Sequence, residues 1–312
     1  MGLADNLHDK PHVGIIGVPY DGSVSQDSGA RLAPAYLREF SAYLEPIAEN
    51  GALLDNLRIM DYGDVSVNND DPGATQKAVF SRVSAIAKKG IVPAVIGGDH
   101  SISSAVVSAF EHKPDLGIIW FDSHPDLMDV YQGVNGRQKS KFSHACPLRR
   151  ILELPNVNRE NVILVGVRDF ILEELDYINT MGLEVLSARQ LHRMTPEETA
   201  SRLIEKLKVV SDIYISFDID VLDPAFAPGT GCPVPGGLSS RYLLDIIYEL
   251  IEIQRKDIFE KKLNVVGFDI MEIAPPLDGG RITCYAGLGI LKAMLAYVTF
   301  QFGLDNLRGD TQ

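Results

Sequence analysis

Cysteine is scarce in this chain: Cys146, Cys232 and Cys284 are the only three among 312 residues. An odd number at wide spacing builds neither a disulfide framework nor a Cys-x-x-Cys zinc site, and it fits a reducing, cytoplasmic setting. Positive charge is short as well. Lys and Arg number 29 against 42 Asp and Glu, for a formal net charge of −13. So acidic a surface argues against nucleic acid, whose phosphates need a basic partner. The plain meaning of the acidity is solubility. Some of the acid could instead be buried as cation ligands, where the metal cancels it. Long apolar runs are missing too. No 18-residue apolar stretch marks a membrane span, and the opening residues carry no apolar signal core, so neither a membrane nor an export route is expected. Met1-Gly2 begins a myristoylation signal, but Asn6 stands where that signal has Ser or Thr.

What is present is regular alternation. Short β-branched runs read as strands at 12–17, 57–61, 92–96, 116–122, 162–167, 184–186, 213–218 and 265–269. Several are apolar on both alternations, as in Ile118-Ile119-Trp120-Phe121, which suits strands buried on both faces of a parallel sheet. Helical spacing falls between them, at 33–47, 75–89, 101–111, 143–153, 173–181, 196–209, 239–254 and 282–302. Strand–helix alternation means repeated βαβ units, an α/β chain with a doubly wound, mostly parallel sheet. No linker, repeat or low-complexity stretch interrupts it, and Asn68-Asn69-Asp70-Asp71-Pro72-Gly73 reads as a surface turn, so one domain over 1–312 is expected.

Ligands of such a sheet sit beyond the carboxyl ends of its strands. The third strand runs into Gly97-Gly98-Asp99-His100-Ser101, either a strand–helix turn with a capping Asp or Ser, or a turn that projects His100 at the sheet edge. The fourth runs into Asp122-Ser123-His124-Pro125-Asp126, three metal-ligand types at spacing two. Alternate residues at a strand end share one side, so these three can converge on one point. The seventh gives Asp218-Ile219-Asp220, again two apart after a buried run, whereas Asp223-Pro224 reads as a turn. Buried carboxylates without a partner are very costly, which argues for a cation. Two His and four Asp at three strand ends are too many ligands for one four-coordinate zinc. They suit two divalent ions bridged by carboxylates, and an oxygen-rich site favours manganese or a similar ion.

In this order the three motifs resemble the signatures of the ureohydrolase (arginase/agmatinase) family. The resemblance extends to Gly17-Val18-Pro19-Tyr20-Asp21, Gly29-Ala30-Arg31, Gly229-Thr230-Gly231, Pro235-Gly236-Gly237-Leu238 and Asp269-Ile270-Met271-Glu272-Ile273-Ala274-Pro275. It implies a three-layer α/β/α sandwich with a parallel eight-stranded sheet and two manganese ions, nickel or cobalt being able to use the same ligands. By position His100, Asp122, Asp126 and Asp218 would hold one ion, and His124 and Asp220 the other, with Asp122 and Asp218 bridging. Two such ions acidify a shared water, which attacks a guanidinium carbon and releases urea and an amine. The resemblance further implies that Asp126 passes the proton to the leaving amine, that His144 shuttles protons at the mouth, and that Glu272 pairs with the substrate guanidinium. Asp99 is expected to orient a ligand. Arg31 is either structural or part of the rim.

The substrate is harder to read. The stretch 127–142 and the following Ser143-His144-Ala145-Cys146 resemble agmatinase-type members, which points to agmatine, cleaved to putrescine and urea. Arg137, Lys139 and Lys141 would instead favour a guanidino acid such as 4-guanidinobutyrate, unless that loop tip faces away; an arginase activity is the further alternative. Ser123, Cys232 and Tyr242 depart from the family's usual Ala, Thr and acid. Remoter readings are a one-zinc deacetylase of the same architecture and a catalytically silent member. The resemblance also implies a homo-oligomer, a trimer or hexamer.

Overall fold

A computed structural model of the protein describes residues 10–132, 139–256 and 262–305. Its eight-stranded sheet comprises β1 (Val13–Gly17), β2 (Ile59–Asp64), β3 (Val92–Ile96), β4 (Gly117–Phe121), β5 (Val162–Val165), β6 (Glu184–Leu186), β7 (Asp212–Asp218) and β8 (Asn264–Met271). The strand order is β2-β1-β3-β8-β7-β4-β5-β6, and every pairing is parallel. The helices are α1 (Ala33–Ser41), α2 (Pro72–Ala87), α3 (Ser103–Ser108), α4 (Pro147–Ile151), α5 (Leu172–Met181), α6 (Ala188–Leu191), α7 (Pro196–Leu207), α8 (Ser240–Arg255) and α9 (Ile282–Gln301).

Burial on both faces explains the apolar strands. Along β4, Ile119 and Phe121 belong to one buried cluster and Ile118 and Trp120 to the other. The same alternation splits Ile163 and Val165 from Val162 and Leu164 on β5. The first cluster is completed by α1, α7, α8 and α9 and the second by α2, α3, α4 and α5, which gives the three layers. Among the described residues, α9 is the one helix with the length and apolarity of a membrane span. It packs in the first cluster with 72% of its apolar window buried, as a core helix does.

The elements differ from the sequence expectation mainly at ends. The helix expected over 33–47 stops at Ser41, short of Leu44-Glu45-Pro46, where the residue before proline disfavours helix. The helix expected over 143–153 shrinks to Pro147–Ile151. Its first residues are drawn into a loop contact, with the His144 N–H donating to the Ser23 carbonyl at 3.2 Å, and proline then opens the helix. The short α6 was not expected; Ser187 and Gln190 close a capping box on it.

Candidate metal centre

Four adjacent central strands finish at one edge. Across the sheet, β3, β8, β7 and β4 lead to His100, Glu272, Asp218 and Asp122 respectively, held level by the pairings Ile96↔Ile270, Asp218↔Met271 and Phe121↔Phe217. The convergence expected from strand pleating arises differently. β4 ends at Phe121, so Asp122, His124 and Asp126 lie in the loop beyond it. Asp122 Oδ1 accepts the His124 N–H at 2.6 Å, and Asp218 Oδ1 accepts the Asp220 N–H at 2.8 Å. Each first carboxylate thus folds its own chain into an Asx turn that brings residues i and i+2 together. Asp126 completes the loop in the left-handed region, at φ 54°. Glu272 is left-handed too, at φ 61°. Non-glycine residues persist there only when the surroundings hold them, and they cluster at functional sites.

His100 is presented by a 3-10 turn, His100–Ile102, that Asp99 caps. Asp99 Oδ1 accepts from the Ser101 N–H and hydroxyl, and Oδ2 accepts the Ser23 N–H at 2.8 Å. Asp99 therefore orients the ligand through its turn rather than by touching its ring. Burial and the neighbouring Glu272 push its carboxyl up to about 7.

His100 Nδ1 lies 3.0 Å from Asp122 Oδ2 and 3.2 Å from both Asp126 Oδ2 and Asp218 Oδ2. It is buried and makes no well-directed hydrogen bond to any of them. The other ring nitrogen explains why. Nε2 is 2.8 Å from Ser216 Oγ, whose hydroxyl donates to Asp269 Oδ1 at 2.6 Å; the Tyr214 hydroxyl donates to Asp269 Oδ2 at 2.5 Å. A hydroxyl that gives its hydrogen to Asp269 accepts one from His100. The network therefore assigns the ring proton to Nε2 and a lone pair to Nδ1. A lone pair and three carboxylates facing one point repel one another unless a cation lies between them. The donor set fits a divalent metal. Trp120 supports both parts, stacking on His100 at 4.2 Å between centroids and donating from Nε1 to Asp122 Oδ2 at 3.1 Å.

A second group adjoins the first. His124 Nδ1 lies 3.1 Å from Asp220 Oδ2 and 3.5 Å from Asp122 Oδ1. Two sets, His100–Asp122–Asp218 and Asp122–His124–Asp220, each have ligand atoms within 4.8 Å of one another and could hold a metal ion, and they share Asp122. Burial, Asp220 and Asp122 drive the Asp218 carboxyl well above its ordinary value, the signature of acids crowded beyond what they tolerate uncompensated.

These groups open into a cavity that Glu272, His144, Asp169, Glu174, Thr230 and Cys232 also line. Glu272 Oε1 accepts the His100 backbone N–H at 2.9 Å and faces His144 Nδ1 at 3.0 Å. The Ser25 N–H donates to His144 Nε2 at 3.0 Å, and Ser25 Oγ lies 2.7 Å from the same nitrogen. Nε2 therefore accepts, and Nδ1–H donates to Glu272. Burial works against a charged His144, but Glu272 outweighs it and raises the imidazolium.

The structure thus brings His100, His124, Asp126, Asp218, Asp220, His144 and Glu272 around one cavity, with Asp122 fully buried against His100. Other residues singled out in the sequence lie elsewhere. Arg31 is half-exposed and pairs with Asp21 at 3.3 Å. The Tyr242 hydroxyl reaches Thr199 and the carbonyls of Leu191 and Met194, joining α6 and α7 to α8. Lys139 and Lys141 are exposed and do not line the cavity; Arg137 lies outside the described residues. Sequence reasoning gave no role to Ser25, Ser216 or Arg168. Arg168 is half-buried and donates to the carbonyls of Gly166, Asp220, Val221, Leu222 and Val234, bracing the loop that follows Asp218.

A parallel sheet that gathers buried acids and imidazoles at its central strand ends, around a cavity, defines an α/β protein with a candidate metal centre. The model of the arginase family matches residues 11–296. The chain is 31% identical to a guanidinopropionase of Pseudomonas aeruginosa, over 91% of this chain and 85% of that protein. It is 33% identical to an agmatinase of Bacillus subtilis, over 90% of each. The solved structure of proclavaminate amidino hydrolase from Streptomyces clavuligerus superposes with a TM-score of 0.84 at 30% identity, covering 95% of each chain. The protein belongs to the arginase family, and is a carbon–nitrogen hydrolase of that family.

Proposed function

We propose that the protein hydrolyses a guanidino compound to urea and an amine with two divalent cations, manganese first among them. His100, Asp122, Asp126 and Asp218 would hold one and His124 and Asp220 the other, with Asp122 and Asp218 shared. The observation that carries this is the pair of adjoining His/Asp groups with Asp122 in common. A donor set this rich in carboxylate oxygen favours manganese over zinc. Bound there, the cations would supply Lewis acidity and an acidified water. The chain's own groups do the rest. Glu272 Oε2 faces the guanidinium. The Asp126 carboxylate would take a proton from the attacking water and pass it to the leaving amine. His144, held between Glu272 and Ser25, exchanges protons with the rim.

Agmatine, cleaved to putrescine and urea, is the substrate we favour. Beyond the metal groups and Glu272, the acidic residues that line the cavity are Asp169 and Glu174, the latter accepting the Leu127 and Ile171 N–H groups, and no described Lys or Arg does. Such a lining suits a cationic tail better than a carboxylate. The same reading takes the protein as a homo-oligomer, trimer or hexamer, on the strength of the family resemblance, and as cytoplasmic on the strength of its few, widely spaced cysteines.

The test is urea release from agmatine, arginine, 4-guanidinobutyrate and 3-guanidinopropionate after manganese loading. Agmatine should show the highest kcat/KM, and Asp169→Asn should lower it for agmatine while leaving or raising it for the guanidino acids. A preference for a guanidino acid overturns the substrate assignment. No urea from any of them overturns the reaction.

A further inference from the structure

Glu272 offers a guanidinium only half of its carboxylate. Oε1 already accepts from the His100 N–H and from His144 Nδ1, and no described residue donates to Oε2. A planar guanidinium presents its N–H groups in fixed pairs, which a carboxylate with both oxygens free receives side by side. With one oxygen taken twice over, the second N–H of the pair needs another acceptor.

Thr230 has one to give. The residue is 3% exposed, its Oγ1 has no protein partner, and it lines the same cavity as Glu272. A buried hydroxyl without a partner is costly to fold and calls for an explanation in what the site binds. The segment is also held firmly against Glu272. The Ala274 N–H donates to the Gly229 carbonyl at 2.7 Å, and the Gly229 N–H donates to Thr283 Oγ1 at 2.7 Å. One residue past Thr230, a Cβ added to Gly231 would lie 4.0 Å from Glu272 Oε2 and 2.7 Å from the Asp27 carbonyl. Glycine there lets the backbone close up beside the free oxygen.

We propose that Thr230 Oγ1 accepts a guanidinium N–H beside Glu272 Oε2, so that the clamp is divided between a carboxylate oxygen and a hydroxyl. Thr230 is then a substrate-binding residue, resting on the guanidino reading above. Its hydroxyl selects ligands that present two N–H groups on one edge.

The experiment compares wild type with Thr230→Val, which keeps the shape and removes the hydroxyl, and Thr230→Ser, which keeps the hydroxyl. The probe is propylguanidinium, its binding to the manganese-loaded protein measured by calorimetry, alongside KM, kcat and Tm. Valine should raise Kd and KM roughly tenfold, the loss of one hydrogen bond, and change kcat far less. Serine should stay within about twofold of wild type. Tm of the valine variant should equal or exceed wild type, because no protein hydrogen bond is lost. Wild-type affinity in the valine variant, equal impairment of both variants, or a fall in Tm with unchanged affinity overturns the assignment, as does a wild type that does not bind propylguanidinium. Binding that depends on the hydroxyl, with no urea released from any guanidino compound, would uphold the clamp and overturn the hydrolytic reading alone.

Discussion

Glu272 Oε1 and His144 Nδ1 lie 3.0 Å apart, and the same oxygen takes the His100 backbone N–H at 2.9 Å. One carboxylate therefore ties the cavity wall to the turn that presents His100. Glu272→Gln keeps an acceptor for those two donors but turns an amide NH2 toward the guanidinium, donor against donor. Kinetics should show kcat/KM falling about 100-fold, mostly through KM, while bound manganese is unchanged. Lost metal with unaltered KM would place Glu272 in the metal site instead.

Ser216 bridges His100 Nε2 and Asp269, and so decides which ring nitrogen carries the proton. Ser216→Ala leaves both neighbours buried without that bridge. Manganese affinity of the metal-free protein, measured by titration calorimetry, should fall roughly 10- to 100-fold. An unchanged affinity would mean that His100 keeps its tautomer without the relay, or is not a ligand.

At the far edge of the sheet, Arg38 grips Asp61 through Nε at 2.8 Å and through a second nitrogen at 3.0 Å. Burial alone would raise the Asp61 carboxyl, but Arg38 outweighs it and the pKa falls from 3.8 to about 2. A depressed carboxyl stabilises the fold above its ordinary pKa, and that contribution is lost as pH falls from about 4 to about 2. Arg38→Met should cost about 2 kcal/mol near neutral pH, and the gap from wild type should close across that window. Urea denaturation of both proteins at several pH values checks this; a gap that does not change with pH would contradict it.

The layers were legible because their cause is local. Ile118-Ile119-Trp120-Phe121 has no polar face, and only a strand covered on both sides uses such a run. The ligand types were legible for the same reason, since acids at spacing two after a buried run have few other uses. The geometry that joins them was not. The convergence depends on two Asx turns and on left-handed Asp126, none of which follows from strand periodicity. Ser25 reaches His144 across 119 residues of sequence, and Arg168 is satisfied by carbonyls that no pattern of side chains announces. Thr230 stood inside a recognised Gly-Thr-Gly stretch, yet its distinction, a buried hydroxyl without a partner, exists only in three dimensions.

The most direct test is the number of manganese ions per chain in metal-loaded protein, counted by elemental analysis for wild type and Asp122→Asn. The shared position of Asp122 predicts two ions per chain in wild type and a loss at both sites in the variant. A wild type that holds one ion or none would contradict the paired-cation account.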